Sequence, residues 1–118
     1  MARIDKTESA VGVVRAPLAA DVAEADFGKI FGAGINAQGR AVKGAGQTGV
    51  IGVINPDRTV RKAGKIIDIF KLGDFVECAG LAAGTKYYAD ATTGVISSTN
   101  TGTYVGYTVE ADRLILAI

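Results

Sequence analysis

The sequence contains no histidine, one cysteine and two prolines in 118 residues. Without histidine the chain lacks the commonest general base at neutral pH, the commonest zinc ligand and the usual partner of a serine or cysteine nucleophile. Most simple hydrolytic schemes fall on that ground. A lone Cys78 permits neither an internal disulfide nor a cysteine metal cluster. Its setting in FVECAG reads as a small buried hydrophobe, not a reactive thiol. No apolar run approaches the roughly 18 residues of a membrane span, and the charged opening MARIDKTES lacks the apolar segment of a secretory signal. A soluble protein made in a cytoplasm is therefore expected. Net charge is scarce too: 13 Lys and Arg against 12 Asp and Glu leave +1, which announces no nucleic-acid partner.

What the chain does have is glycine, 16 residues, about twice the usual share, within a composition that is 48% hydrophobic. A length of 118 residues fits one domain with a real core. From Phe27 onward the runs GKIF, GRAVKG, GVIGVIN, KIIDIFKL, DFVECA, TKYYAD, GVISST, TYVGYTV and RLILAI are separated by Gly, Asn-Pro-Asp, Gly-Asp or Asp-Ala-Thr-Thr-Gly. Short β-rich runs at close intervals predict an all-β, single-domain sandwich or barrel-like fold of short antiparallel strands. Before them, Val11, Val13 and Val14 suggest a short strand, and Pro17 opens either a brief helix or an extended arm. The domain division read from this is an N-terminal arm over residues 1–26 and a β-rich domain over 27–118.

Alternation sorts side chains within the strands. In TYVGYTV, Val105, Tyr107 and Val109 are expected on one face and Tyr104, Gly106 and Thr108 on the other. In KIIDIFKL, Ile67 and Ile69 oppose Ile66, Phe70 and Leu72, so this strand is apolar on both sides; either a neighbouring subunit covers one face or the strand is central in a sandwich. A loose echo links VIGVINPDRTV, from Val50, to YVGYTVEADRLI, from Tyr104, as two strand-turn-strand units of similar shape or a coincidence.

The stretch GAGQTG, Gly44 to Gly49, has the G-x-G-x-x-G spacing of a dinucleotide loop. Such a loop holds phosphate because it delivers glycines to a helix N-terminus. Here the next segment, VIGVINPD, is β-branched and interrupted by glycine and proline, so it reads as a strand. Asp68 lies near the offset of a ribose-binding acid but sits inside KIIDIF. The stretch is expected to be a connection between strands.

The carboxylate groups Asp21, Glu24 and Asp26, then Asp74 and Glu77, then Glu110 and Asp112, match no EF-hand spacing and read as solvated turn charges. The basic stretch RTVRKAGK, Arg58 to Lys65, with Tyr87, Tyr88, Tyr104 and Tyr107, is the one pattern that would suit an OB-like single-strand binder.

The succession ADFGKIF, GQTGVIGVI, KAGKIIDIFKLGDFVE, LAAGTKYYADATTGVISS and VGYTVEADRLIL resembles the small capsid decoration, or cement, proteins of tailed bacteriophages. The resemblance covers about Ala25 to Ile118 and is strongest from Ala63. It is a pattern of strands and turns without a catalytic signature. It implies a virion protein on the outer surface of the head, a homotrimer whose partner is the major capsid protein, with no enzymatic activity and no cofactor. No catalytic, cofactor-binding or metal-ligating residue is assigned, and neither a nucleic acid nor a membrane is an expected partner. Because the chain ends on LILAI, the segment lying across the shell is expected to be the N-terminal one, loose in isolation and ordered on the capsid. The alternatives are a phage tail or baseplate component and the OB-like nucleic-acid-binding module.

Overall fold

A computed structural model describes residues 13–118. Ten strands follow one another: β1 (Val13–Pro17), β2 (Phe31–Ile35), β3 (Ala41–Lys43), β4 (Gly52–Ile54), β5 (Ile66–Phe70), β6 (Phe75–Glu77), β7 (Lys86–Ala89), β8 (Ile96–Ser97), β9 (Thr103–Thr108) and β10 (Arg113–Leu116). Among the described residues the one helical element is a single 3-10 turn at Glu24–Asp26, so the helix that Pro17 was weighed to open does not form. The fold is all-β, and its strands form two antiparallel five-stranded sheets.

The two sheets divide the chain in half. The first has the order β1-β5-β4-β2-β3 and the second β6-β10-β9-β7-β8. Counting strands from the start of each half, both orders are first-fifth-fourth-second-third. The sequence echo lands on equivalent strands, since VIGVI contains β4 and YVGYT lies within β9. Their glycines match in setting. A Cβ on Gly52 would lie 2.5 Å from the Phe70 carbonyl oxygen on β5, and one on Gly106 would be driven into the Ile115 carbonyl oxygen on β10. Each glycine thus lets the fourth strand of its half press against the fifth.

Two packed clusters fill the interior. Ala33, Phe31, Ile54, Ile67 and Ile69 from one face of the first sheet pack with Leu18 and Val22 and with the half-buried Phe27 and Val60. The second cluster joins Val53 to Val76, Tyr87, Ala89, Val105, Leu114 and Leu116 of the second sheet, with Phe70 packed against it. β5 is therefore apolar on both sides because it is central, with Ile67 and Ile69 in one cluster and Phe70 against the other.

One expectation from alternation fails. Val105 is fully buried and Tyr107 is 44% exposed, while Thr108 is buried. The register explains this: Tyr88 pairs Tyr104 but Tyr87 pairs Gly106, which leaves Val105 as an extra residue. This β-bulge reverses the facing of the strand beyond it.

Of residues 1–26, expected as an arm, 13–26 are built into the fold. β1 pairs β5 from Val13↔Phe70 to Pro17↔Ile66, Ala16, Leu18 and Val22 are buried, and the Val22 N–H donates to the Arg61 carbonyl (2.7 Å). Residues 1–12, the rest of that expected arm, lie outside the described residues.

Candidate functional site

GAGQTG is a connection, and its backbone is spoken for. The Gly44 N–H donates to the Gly32 carbonyl, the Ala45 N–H to the Ala91 carbonyl and the Gln47 N–H to the Ile35 carbonyl, each at 2.8 Å. Thr48 Oγ1 accepts from the Ile35 N–H at 3.0 Å. Gly44 and Gly46 have φ of 94° and 54°. A Cβ on Gly46 would meet the Ile35 carbonyl oxygen at 2.7 Å, so the glycines serve a close approach to neighbouring backbone. The segment leads into β4, with no helix to aim N–H groups at a phosphate. Asp68 lies directly opposite Arg15 across the β1–β5 pair and accepts from its guanidinium at 2.9 Å, with both side chains exposed.

The carboxylate groups disperse into separate structural jobs. Asp21 accepts from the Ala63 N–H at 2.8 Å and lies 3.5 Å from the Lys62 amine; the backbone donor, then that amine, lower its pKa. Asp26 pairs with Lys43 at 2.8 Å, a hydrogen bond that holds its carboxyl below the usual range. The Lys43 amine also sits 4.0 Å from the centre of the Phe31 ring. Glu24 stands instead beside Phe27, Arg58 and Arg61. Glu110 pairs with Arg113, whose guanidinium lies over Phe75, and Asp112 stands near Cys78. Among the described residues no three His, Cys, Asp or Glu come together as a metal site. Burial, then the Asp112 charge, pushes the Cys78 thiol up from its ordinary value, the setting of an unreactive half-buried cysteine.

The basic stretch and the tyrosines do not form one platform. Arg58 to Lys65 lies in the connection between β4 and β5 of the first sheet, whereas the tyrosines belong to β7 and β9 of the second. Tyr87 is buried, and its hydroxyl accepts from the Ala82 N–H at 2.7 Å. Beside it the buried Thr108 hydroxyl accepts from the Thr85 N–H at 3.1 Å and donates to the Ala82 carbonyl. The turn Ala82–Thr85 is thereby clamped by two side chains from paired strands. Asp90 closes the next turn, accepting from the N–H groups of Thr92 and Thr93 at 2.7 and 2.9 Å, which lowers its pKa. These contacts account for the residues of AAGTKYYADATTG as architecture.

Tyr88 and Tyr104 lean together on the second sheet with ring centres 5.6 Å apart. The same sheet carries exposed Phe75 and Tyr107, near an open groove of about 430 Å³ bordered by Leu72, Ile115 and Ala117. Sequence reading grouped the tyrosines as stacking platforms and overlooked Phe75 and Ile115. The bulge that turns Tyr107 outward has no local sequence mark beyond Gly106.

No protein-family model matches the chain, and neither does any curated protein. Among solved structures, a chain of Mycobacterium phage Patience has the same fold, with a TM-score of 0.73 at 20% sequence identity, over 97% of this chain and 94% of that one.

Proposed function

We propose that this chain is a phage virion structural protein that binds the outside of the expanded head and stabilises the lattice of the major capsid protein. The observation that carries the reading is the likeness of fold to a phage protein, which extends over nearly the whole of both chains. Two features of the site support it. The motif residues Tyr87, Thr108 and Asp90 are spent on clamping turns, and Asp21, Asp26, Asp68 and Glu110 are each held in a separate structural contact. Such a molecule offers a stiff β scaffold and surfaces.

The mechanism is binding linkage. A site made only by neighbouring capsid subunits in the expanded lattice lets each bound copy stabilise that state by its differential affinity. In this reading the segment that reaches across the shell is the N-terminal one, residues 1–12, which precede the edge strand β1 in sequence. Co-sedimentation with heads lacking the protein tests the reading: saturable binding to expanded shells and none to unexpanded ones is expected. Absence of binding to either, or equal binding to unassembled capsid subunits, overturns it.

A further inference from the structure

We infer that the outer face of the second sheet is a docking surface for a second copy of this chain, joined face to face about a two-fold axis. The inference rests on the repeated topology and is independent of the virion reading. In the first sheet, register places Val13, Phe70, Val53 and Gly32 side by side across β1, β5, β4 and β2. In the second, it places Phe75, Ile115, Tyr107 and Lys86 side by side across the equivalent β6, β10, β9 and β7. Directly paired residues share a face, so these are the same row of the same sheet, repeated.

The two rows meet opposite fates. In the first sheet the row lies beneath the second sheet: Val53 is fully buried, Phe70 packs on the second cluster, and a Cβ on Gly32 would collide with that of Ala89. In the second sheet the row is uncovered, with Phe75 48% and Tyr107 44% exposed and Leu72, at 64%, beside it. A face that this fold covers with a β-sheet in one half is left bare, and rich in aromatic residues, in the other. Exposed Tyr and Phe with few small polar residues are the composition of an interface core, to which Lys86 is the rim.

The row also fits itself. Its order is aromatic, aliphatic, aromatic, cation. Rotation about an axis along the strands, between Ile115 and Tyr107, sets Ile115 of one copy on Tyr107 of the other and Phe75 on Lys86. Every contact is then apolar or cation on ring. Glu77, two residues from Phe75 on the same face, supplies the Lys86 amine with a carboxylate. Two sheets packed in this way lie about 10 Å apart, within reach of these side chains. A two-fold pairs a patch with itself, unlike the three-fold ring that the resemblance implies, which needs two different patches.

Sedimentation equilibrium of the purified chain over a concentration series is the test. A reversible monomer–dimer equilibrium is expected. Tyr107→Glu should abolish it, and Phe75→Lys should weaken it by at least about thirtyfold, because the two-fold removes one flanking aromatic anchor from each copy and sets a lysine against Lys86 in its place. Because both positions are exposed, circular dichroism should show both variants folded. Adding Lys86→Glu to Phe75→Lys exchanges the charges across the axis and should restore the dimer. A monomer throughout, a trimer, association indifferent to these substitutions, or a mass altered only by removing residues 1–12 overturns the inference.

Discussion

Thr108 carries more of the fold than its size suggests, because among the described residues its hydroxyl is the one buried side-chain group joining β9 to the turn Ala82–Thr85. Thr108→Val keeps the shape and strands the Thr85 N–H, so unfolding by urea should show a loss of about 1–3 kcal/mol, whereas Thr108→Ser should stay close to the parent. The carboxylates define a second residue-scale effect. Asp21, Asp26 and Asp90 all have pKa values lowered in the folded chain, through the Ala63 N–H, the Lys43 amine and the Thr93 and Thr92 N–H groups respectively. As pH falls the unfolded chain therefore takes up protons first. Their stabilisation is complete above the ordinary carboxylate pKa of about 3.9 and drains away as pH drops through the lower folded values. The urea midpoint should be level from neutral pH to about 5 and fall below about 4, and Asp90→Asn, which keeps an acceptor for Thr92 and Thr93, should make that fall shallower.

At the scale of elements, β1 separates two deletions that look alike in sequence. Removing residues 1–12 leaves the whole β1–β5 ladder. Removing 1–17 takes Ala16 out of the first cluster and leaves β5, the strand that presents Ile67 and Ile69, unpaired along the edge that faced β1. Thermal melts should show the first variant near the parent and the second largely unfolded, and under the proposed function only the first would report on shell binding. Strand positions were readable in the sequence because Gly, Asn-Pro-Asp and Asp-Ala-Thr-Thr-Gly punctuate β-branched runs: eight such runs each contain one of the strands β3 to β10, whereas GKIF reaches only Phe31, the first residue of β2, whose glycines hide the rest of the strand. The membership of β1 in the sheet was not readable, since its partner β5 lies some fifty residues away and VVRAP has no marker of that pairing. The facing of Tyr107 was hidden for a different reason: a bulge is a two-against-one mismatch between strands, and alternation within one strand cannot register it. The echo between VIGVI and YVGYT was faint because only the glycine that lets the fourth strand approach the fifth is common to both at the same point. Gly106→Val should therefore behave as an element-breaking change, costing about 2–4 kcal/mol in chemical denaturation as β9 is forced from β10.

Over the whole molecule, the two halves repeat one sheet and differ in what covers it. The first sheet is enclosed on one side by residues 18–27 and on the other by the second sheet; the second sheet keeps one face free. A scaffold closed at one end and open at the other suits a protein whose work is to hold surfaces together, and under the proposed function its effect on a head is set by occupancy. Each site filled at a hundred times its Kd adds about 2.7 kcal/mol to the state it recognises, and a copy that bound expanded and unexpanded shells equally would shift neither. Heads supplemented with the protein should thus rupture at a temperature that rises with its concentration and levels off once the sites on the lattice are full. Rupture followed by release of packaged DNA reads this directly. A rise that continues past saturation, or an equal rise for unexpanded shells, would mean that the stabilisation is non-specific coating and not selection of the expanded lattice.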